Sequence, residues 1–104
     1  MDPHVQLCNQ LAELELKIQQ DSNLEGIARN LKRMRHSIGE LGYRYHIPMG
    51  EAYSEGRTDC EASLLDGAEG KSLQITKVLK PVVYKDEQGG TLLLQKAVVI
   101  VEAV

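Results

Sequence analysis

The chain has 104 residues, a formal net charge of −3, and neither tryptophan nor phenylalanine. This length suits one domain or two small subdomains that bury about 65% of the unfolded surface. Acidic and basic residues are interspersed, so the molecule as a whole has no basic field for a polyanion. No apolar run approaches the ~20 residues of a membrane span, and the N-terminus lacks a signal-peptide apolar core. A soluble, cytoplasmic protein with no membrane partner is the expectation.

Asp2-Pro3 reads as an N-cap followed by proline at the first helical position. Leu7, Leu11, Leu14 and Ile18 then recur at helical spacing, so a first helix is predicted over residues 3–20. The cap-forming cluster Asp21-Ser22-Asn23 follows, and Ser22 with Glu25 fits a capping box. In the second helix Leu24, Ile27, Leu31, Met34, Ile38 and Leu41 alternate in steps of three and four, an a/d seam. The step from Ile18 to Leu24 breaks the phase, which predicts an antiparallel hairpin rather than one rod. Gly42 ends the second helix. A seam this narrow needs more helical surface than one hairpin offers. A second copy of the chain is therefore expected, giving a dimeric four-helix bundle built on Leu7, Leu11, Leu14, Ile18, Leu24, Ile27, Leu31, Met34, Ile38 and Leu41.

Beyond Gly42 the period falls to two. Tyr43, Tyr45 and Ile47 alternate with Arg44 and His46, a half-buried strand ended by Pro48. Residues 50–59 are polar and turn-rich, with Cys60 in the same polar surroundings. A short strand is predicted over 62–65, closed by Asp66-Gly67 and Gly70. Leu73, Ile75 and Lys77 alternate, and Val78-Leu79 precede Pro81, which confines pairing there to an edge or a bend. Residues 82–84 and 92–94 flank a hairpin loop from Asp86 to Gly90. Residues 97–101 are apolar on both faces and predict a central strand. The expected architecture is α+β: a helical hairpin for dimerisation over 1–42, then a small, mostly antiparallel β domain over 43–104.

Enzyme chemistry has little to stand on. Ser63 and Ser72 lack a nucleophile elbow, and the glycines at 67 and 70 lack the spacing and lysine of a P-loop. Asp59, Glu61 and Asp66 read as solvated carboxylates. Cys8 and Cys60 match no metal motif and read as free thiols, and His4, His36 and His46 share no ligand spacing. No cofactor, metal or catalytic residue is expected. Arg29, Lys32, Arg33, Arg35 and His36 form a basic face on the second helix. Without interleaved aromatics, that face reads as the charged outside of a bundle, paired with Glu25, Glu13 or Glu15, and no nucleic-acid partner is expected. Tyr43, Tyr45 and Tyr53 suit the core, while Tyr84 is a candidate for an exposed contact.

Several segments in this order are similar to those of one family. Leu24-Glu25-Gly26-Ile27, Leu31-Lys32-Arg33-Met34 and Leu41-Gly42 resemble a bundle helix and its glycine exit. Gly50-Glu51-Ala52-Tyr53 with Cys60-Glu61-Ala62 is similar to a G-E-x-F…H-E-A segment. Val78-Leu79-Lys80 with Tyr84 resembles V-L-x-K-G-Y, and Gln95 to Val101 resembles a closing R-P-A-x-V-x-V strand. Together, from about Leu24 onward, the chain resembles the C-terminal half of GrpE, the nucleotide exchange factor of DnaK-type chaperones. The first helix then corresponds to a remnant of that family's long helix. Cys60 stands where the family has histidine, and Gln95 where it has arginine. The resemblance implies a homodimeric co-chaperone that grips the nucleotide-binding domain of a DnaK-type chaperone and promotes ADP release. It implies partner contacts at Lys80, Tyr84, Asp86, Glu87, Gln95 and Lys96. The departures leave a second expectation open, a dimeric adaptor that keeps the fold without exchange activity.

Overall fold

A computed structural model describes residues 2–65, 67 and 72–104. The chain runs through helix α1 (Pro3–Gln19), a short 3-10 turn (Ser22–Leu24) and helix α2 (Glu25–Glu40). Seven strands follow: β1 (Tyr43–His46), β2 (Ala52–Tyr53), β3 (Cys60–Leu64), β4 (Leu73–Lys80), β5 (Val82–Glu87), β6 (Gly90–Gln95) and β7 (Ala97–Ala103). The protein is α+β, two N-terminal helices followed by sheets rich in antiparallel pairing. No helix among the described residues is long and apolar enough to cross a membrane.

Local chemistry explains the ends of the helices. The Asp2 side chain accepts from the His4 amide at 2.8 Å, with Pro3 at the first helical position, as the sequence predicts. At the interhelical break, the observed cap is Asp21, whose carboxylate accepts from the Asn23 amide at 2.9 Å. The expected Ser22 capping box involves a side chain outside those described. Gly42 leaves α2 with φ +94°, a conformation that glycine adopts without a Cβ clash. Its carbonyl accepts from the Asp86 amide at 2.7 Å, and a Cβ there would stand 3.3 Å from the Asp86 carbonyl oxygen. One residue thus ends the helix and pins it to β5.

The strands form a three-stranded sheet in the order β1-β5-β6 and a four-stranded sheet in the order β2-β4-β7-β3. All pairings are antiparallel except β3 with β7. As predicted, β7 is internal to its sheet; Ala97, Val99 and Val101 are buried on one face, while Val98 and Ile100 are half-buried on the other. Pro81 lies at a bend, where the chain leaves one sheet and enters the other. Four sequence expectations need correction. The polar stretch 50–59 contains β2, which pairs with β4. Cys60 opens β3 and is buried, because its partner across the pair is the fully buried Ala97. The alternation of Leu73, Ile75 and Lys77 fails at a register shift between Ile75 and Lys77, which turns Val78 inward and Lys77 outward. The loop 86–90 is shorter than expected, since Asp86 pairs with Thr91 and Glu87 with Gly90, leaving Gln88-Gly89 as the turn. Gly89 has φ +95° there. The predicted close at Asp66 and Gly70 lies outside the described residues.

Two cores result. One joins Val5, Cys8, Leu11 and Ala12 of α1 with Leu31 and Ile38 of α2 and with Tyr43, Tyr45 and Val83 of the three-stranded sheet. Its members come from both sides of position 42. The other collects Cys60, Ile75, Val78, Val82, Ala97, Val99 and Val101. Ile75 is 1% exposed at the centre of the second. Replacing it by alanine should cost about 2–5 kcal/mol, read as a lower urea midpoint at unchanged slope.

Candidate docking surfaces

On the three-stranded sheet, residues two apart share a face. Arg44 lies opposite Tyr84 in the β1–β5 register, and its guanidinium sits over the Tyr84 ring at 5.0 Å. The same guanidinium donates to both oxygens of Asp86, at 2.7 and 3.0 Å, while the Thr91 hydroxyl donates to Asp86 at 2.9 Å. Hydrogen bonds from Arg44 and then Thr91 hold the Asp86 carboxyl below the usual carboxylate range. Tyr84 and Asp86 therefore belong to one face of β5, the face that Val82 buries in the second core and that opens to solvent toward Asp86. Tyr84 is half-buried there and packs against the second core, rather than standing free as the sequence suggests. Glu87 lies at the hairpin end, 3.6 Å from Lys85.

Gln95 goes elsewhere. It pairs with Val83, whose side chain faces the helices. Its amide nitrogen donates to the Asn9 side-chain oxygen at 2.7 Å and to the Pro81 carbonyl at 3.0 Å; the Asn9 amide returns a hydrogen bond at 3.3 Å. The expected partner contact is thus engaged internally, tying α1 to the bend. A register shift between Val83 and Tyr84 separates it from the Tyr84 face, an irregularity the residue types do not announce. Lys80 and Lys96 are exposed close to that bend, without an ion pair among the described residues. Lys80 borders a groove of about 450 Å³ between α1 and β4, which Asn9, Leu16, Leu79 and Pro81 also line. On the sheet edge, Leu92, Leu93 and Leu94 of β6 are exposed side by side.

The helical seam divides. Leu11, Leu31 and Ile38 are buried within the single chain, and Ile18 and Leu24 are half-buried. Ile27, Met34 and Leu41, at seven-residue steps on α2, remain 50%, 47% and 63% exposed. Leu7 and Leu14, seven apart on α1, are 46% and 42% exposed. One side of the seam packs on the hairpin and the sheet; the other is an uncovered apolar strip. Leu7, Met34 and Leu41 border a groove of about 300 Å³ whose rim carries Arg33. Arg35 pairs with Glu15 at 3.0 Å, donates to the Tyr45 carbonyl at 2.6 Å and covers the Tyr45 ring at 4.2 Å.

A further cluster is centred on a residue that no sequence motif singles out, Arg57. Arg57, between β2 and β3, donates to Asp59 at 2.7 Å, to Glu51 at 2.6 Å and to the Ala52 carbonyl at 2.9 Å. His46 of β1 meets Glu51 from the other side. Burial raises the Glu51 pKa, but the hydrogen bonds from Arg57 and His46 outweigh it and leave the carboxyl below its ordinary value. The bond from Arg57 lowers Asp59 as well. Beside it, burial pushes the Cys60 thiol up to about 11, so this free thiol is not poised as a nucleophile. The Arg-x-Asp spacing with a glutamate six residues earlier was the available signal. The cluster fastens a long loop; it does not resemble a reaction centre. Glu61 is exposed, Asp66 lies outside the described residues, and no group among the described residues is arranged to hold a metal.

The chain matches no protein-family model, no curated protein and no solved structure.

Glu51 and Asp59 have folded pKa values below their unfolded ones, so their contribution is complete above the ordinary carboxylate range and fades as pH falls through the folded values. Arg57→Gln should cost ~1–2 kcal/mol at pH 7, at the low end for charged hydrogen bonds because Glu51 is 36% exposed. The difference between wild type and variant should shrink on acidification below the usual carboxylate pKa. Urea unfolding at a series of pH values measures it, and a constant difference would contradict the clamp.

Proposed function

We propose that the protein is a homodimeric, GrpE-like co-chaperone that binds the nucleotide-binding domain of a DnaK-type chaperone and favours ADP release. What supports this reading is the way its similar segments lie together. Cys60-Glu61-Ala62 and Ala97-Val98-Val99 run side by side as neighbouring strands, and Val78-Leu79-Lys80 flanks β7 from the other side. Segments separated by more than thirty residues thus build one sheet behind a helical hairpin. The mechanism needs no covalent step. A partner that prefers the open nucleotide cleft lowers ADP affinity by the same factor by which ADP lowers its own.

Contact then falls on Tyr84, Asp86 and Glu87 of the hairpin and on Lys80 and Lys96 at the bend. Saturable acceleration of fluorescent ADP-analogue release from a DnaK-type nucleotide-binding domain is the expected result in stopped flow. Lys80→Ala with Lys96→Ala should raise the half-saturating concentration about tenfold. The internal engagement of Gln95 favours the alternative, a dimeric adaptor without exchange activity. Absence of acceleration from folded protein would select that reading.

Dimerisation rests on exposed area and on symmetry. The chain exposes 6840 Å², about 1,000 Å² more than ~5,800 Å² for a compact monomer of this mass. A standard interface covers about 800 Å² per partner. Antiparallel pairing of α2 across a two-fold axis sets Met34 against its own copy and Ile27 against Leu41, so the strip is self-complementary. Each of these side chains contributes up to ~1.5–3 kcal/mol when fully buried. Sedimentation equilibrium should give twice the chain mass, and Met34→Glu should give the chain mass with unchanged circular dichroism.

A further inference from the structure

The opposite side of α2 carries a different signal. At 100° per residue, Arg29, Lys32, Arg33 and His36 lie within one sector of the helix, centred away from the Ile27–Met34–Leu41 strip, with Arg33 at the edge nearest it. They line a single shallow depression with Ser37, and all are exposed. The expected pairing with Glu25, Glu13 or Glu15 does not account for them, and Glu25 makes no ion pair among the described residues. Glu15 binds Arg35, Glu13 binds Lys17, and His36 meets Glu40 of its own helix at 3.0 Å. Arg29, Lys32 and Arg33 have no ion pair among the described residues. Three cations without an ion pair among the described residues thus sit together on a chain of net charge −3.

We propose that this face of α2 is a docking site for an acidic helix of a partner protein. The dimensions of the patch favour a protein over a polynucleotide. From Arg29 to His36 it extends about 10 Å along the helix. Glu25 closes the same face one turn before it, and Glu40 one turn after. A duplex presents a charge about every 1.7 Å and continues past both ends, where it would meet those carboxylates. No tyrosine, tryptophan or phenylalanine lines the depression to stack on a base. A helix with carboxylates at i, i+3 or i+4, and i+7 matches Arg29, Lys32 or Arg33, and His36 in spacing, and ends where the acidic rim begins. Arg29, Lys32 and His36 are turned away from the apolar strip, and the two surfaces meet at Arg33 and Ser37, so this partner and a second copy of the chain approach α2 from different sides and adjoin there. The site is independent of the GrpE-like reading and of the β surface assigned to it.

Two measurements on the full chain test the site. The probe is a short alanine-rich helical peptide with three glutamates at that spacing, compared with its three-glutamine counterpart. Amide chemical-shift mapping should place the glutamate peptide on residues 29–36. Fluorescence anisotropy should show affinity falling about tenfold for the glutamine peptide, and equally for the Arg29→Gln, Lys32→Gln, Arg33→Gln variant. These positions are exposed, so the variant should keep wild-type circular dichroism. Shifts elsewhere, no detectable binding, or equal affinity of variant and wild type would overturn the proposal. So would tighter binding of a DNA duplex than of the peptide at the same ionic strength.

Discussion

The bend at Pro81 and the two valines after it set the geometry of the whole molecule. A strand sends successive side chains to opposite faces. Val82 and Val83 are both fully buried, yet Val82 belongs to the core of the four-stranded sheet and Val83 to the core under the helices. The start of β5 is therefore a wall shared by two cores. Pro81 fits the preceding position because it needs no partner for an amide hydrogen as the chain changes sheets. A one-residue slip here would exchange the two cores' contributions, so the register is strongly specified.

That wall decides which side chains turn inward and which stay at the surface. Gln95 closes it from behind, fastening the Pro81 carbonyl to Asn9 of α1, and so it is drawn inward. Tyr84, one residue past Val83, points to the opposite face, where Arg44 covers its ring. The helices meet the three-stranded sheet through residues on one side only, which leaves Ile27, Met34 and Leu41 uncovered. The molecule is consequently flat, 41 × 41 × 21 Å, with more surface than its mass requires. Such a body has a large surface relative to its core.

Much of the fold was legible because the relevant signals are local. Asp2-Pro3, Gly42 and the shift from helical to alternating period each act within a few residues. The chain's most apolar segment, 97–101, is indeed internal to its sheet. What was hidden depends on non-local pairing. Cys60 becomes a core residue only through Ala97, and Ala52-Tyr53 becomes a strand only beside Leu73-Gln74. The two register shifts in β4 and the one between β5 and β6 redirect side chains that simple alternation would have sent elsewhere. The directions of Gln95 and Tyr84 were least legible, because the two differ by one such shift. Arg57 was unread for a related reason: its acids are near in sequence, but only the fold of the loop turns all three toward one point.

If β5 is a shared wall, the helices and both sheets form a single cooperative unit, and native-state hydrogen exchange measures this residue by residue. The slowest amides of α1 around Cys8–Leu11 should open with the same free energy as those of β5 and β7. Helical amides that exchange through an opening well below that of β5 and β7 would show two independent bodies and contradict the account.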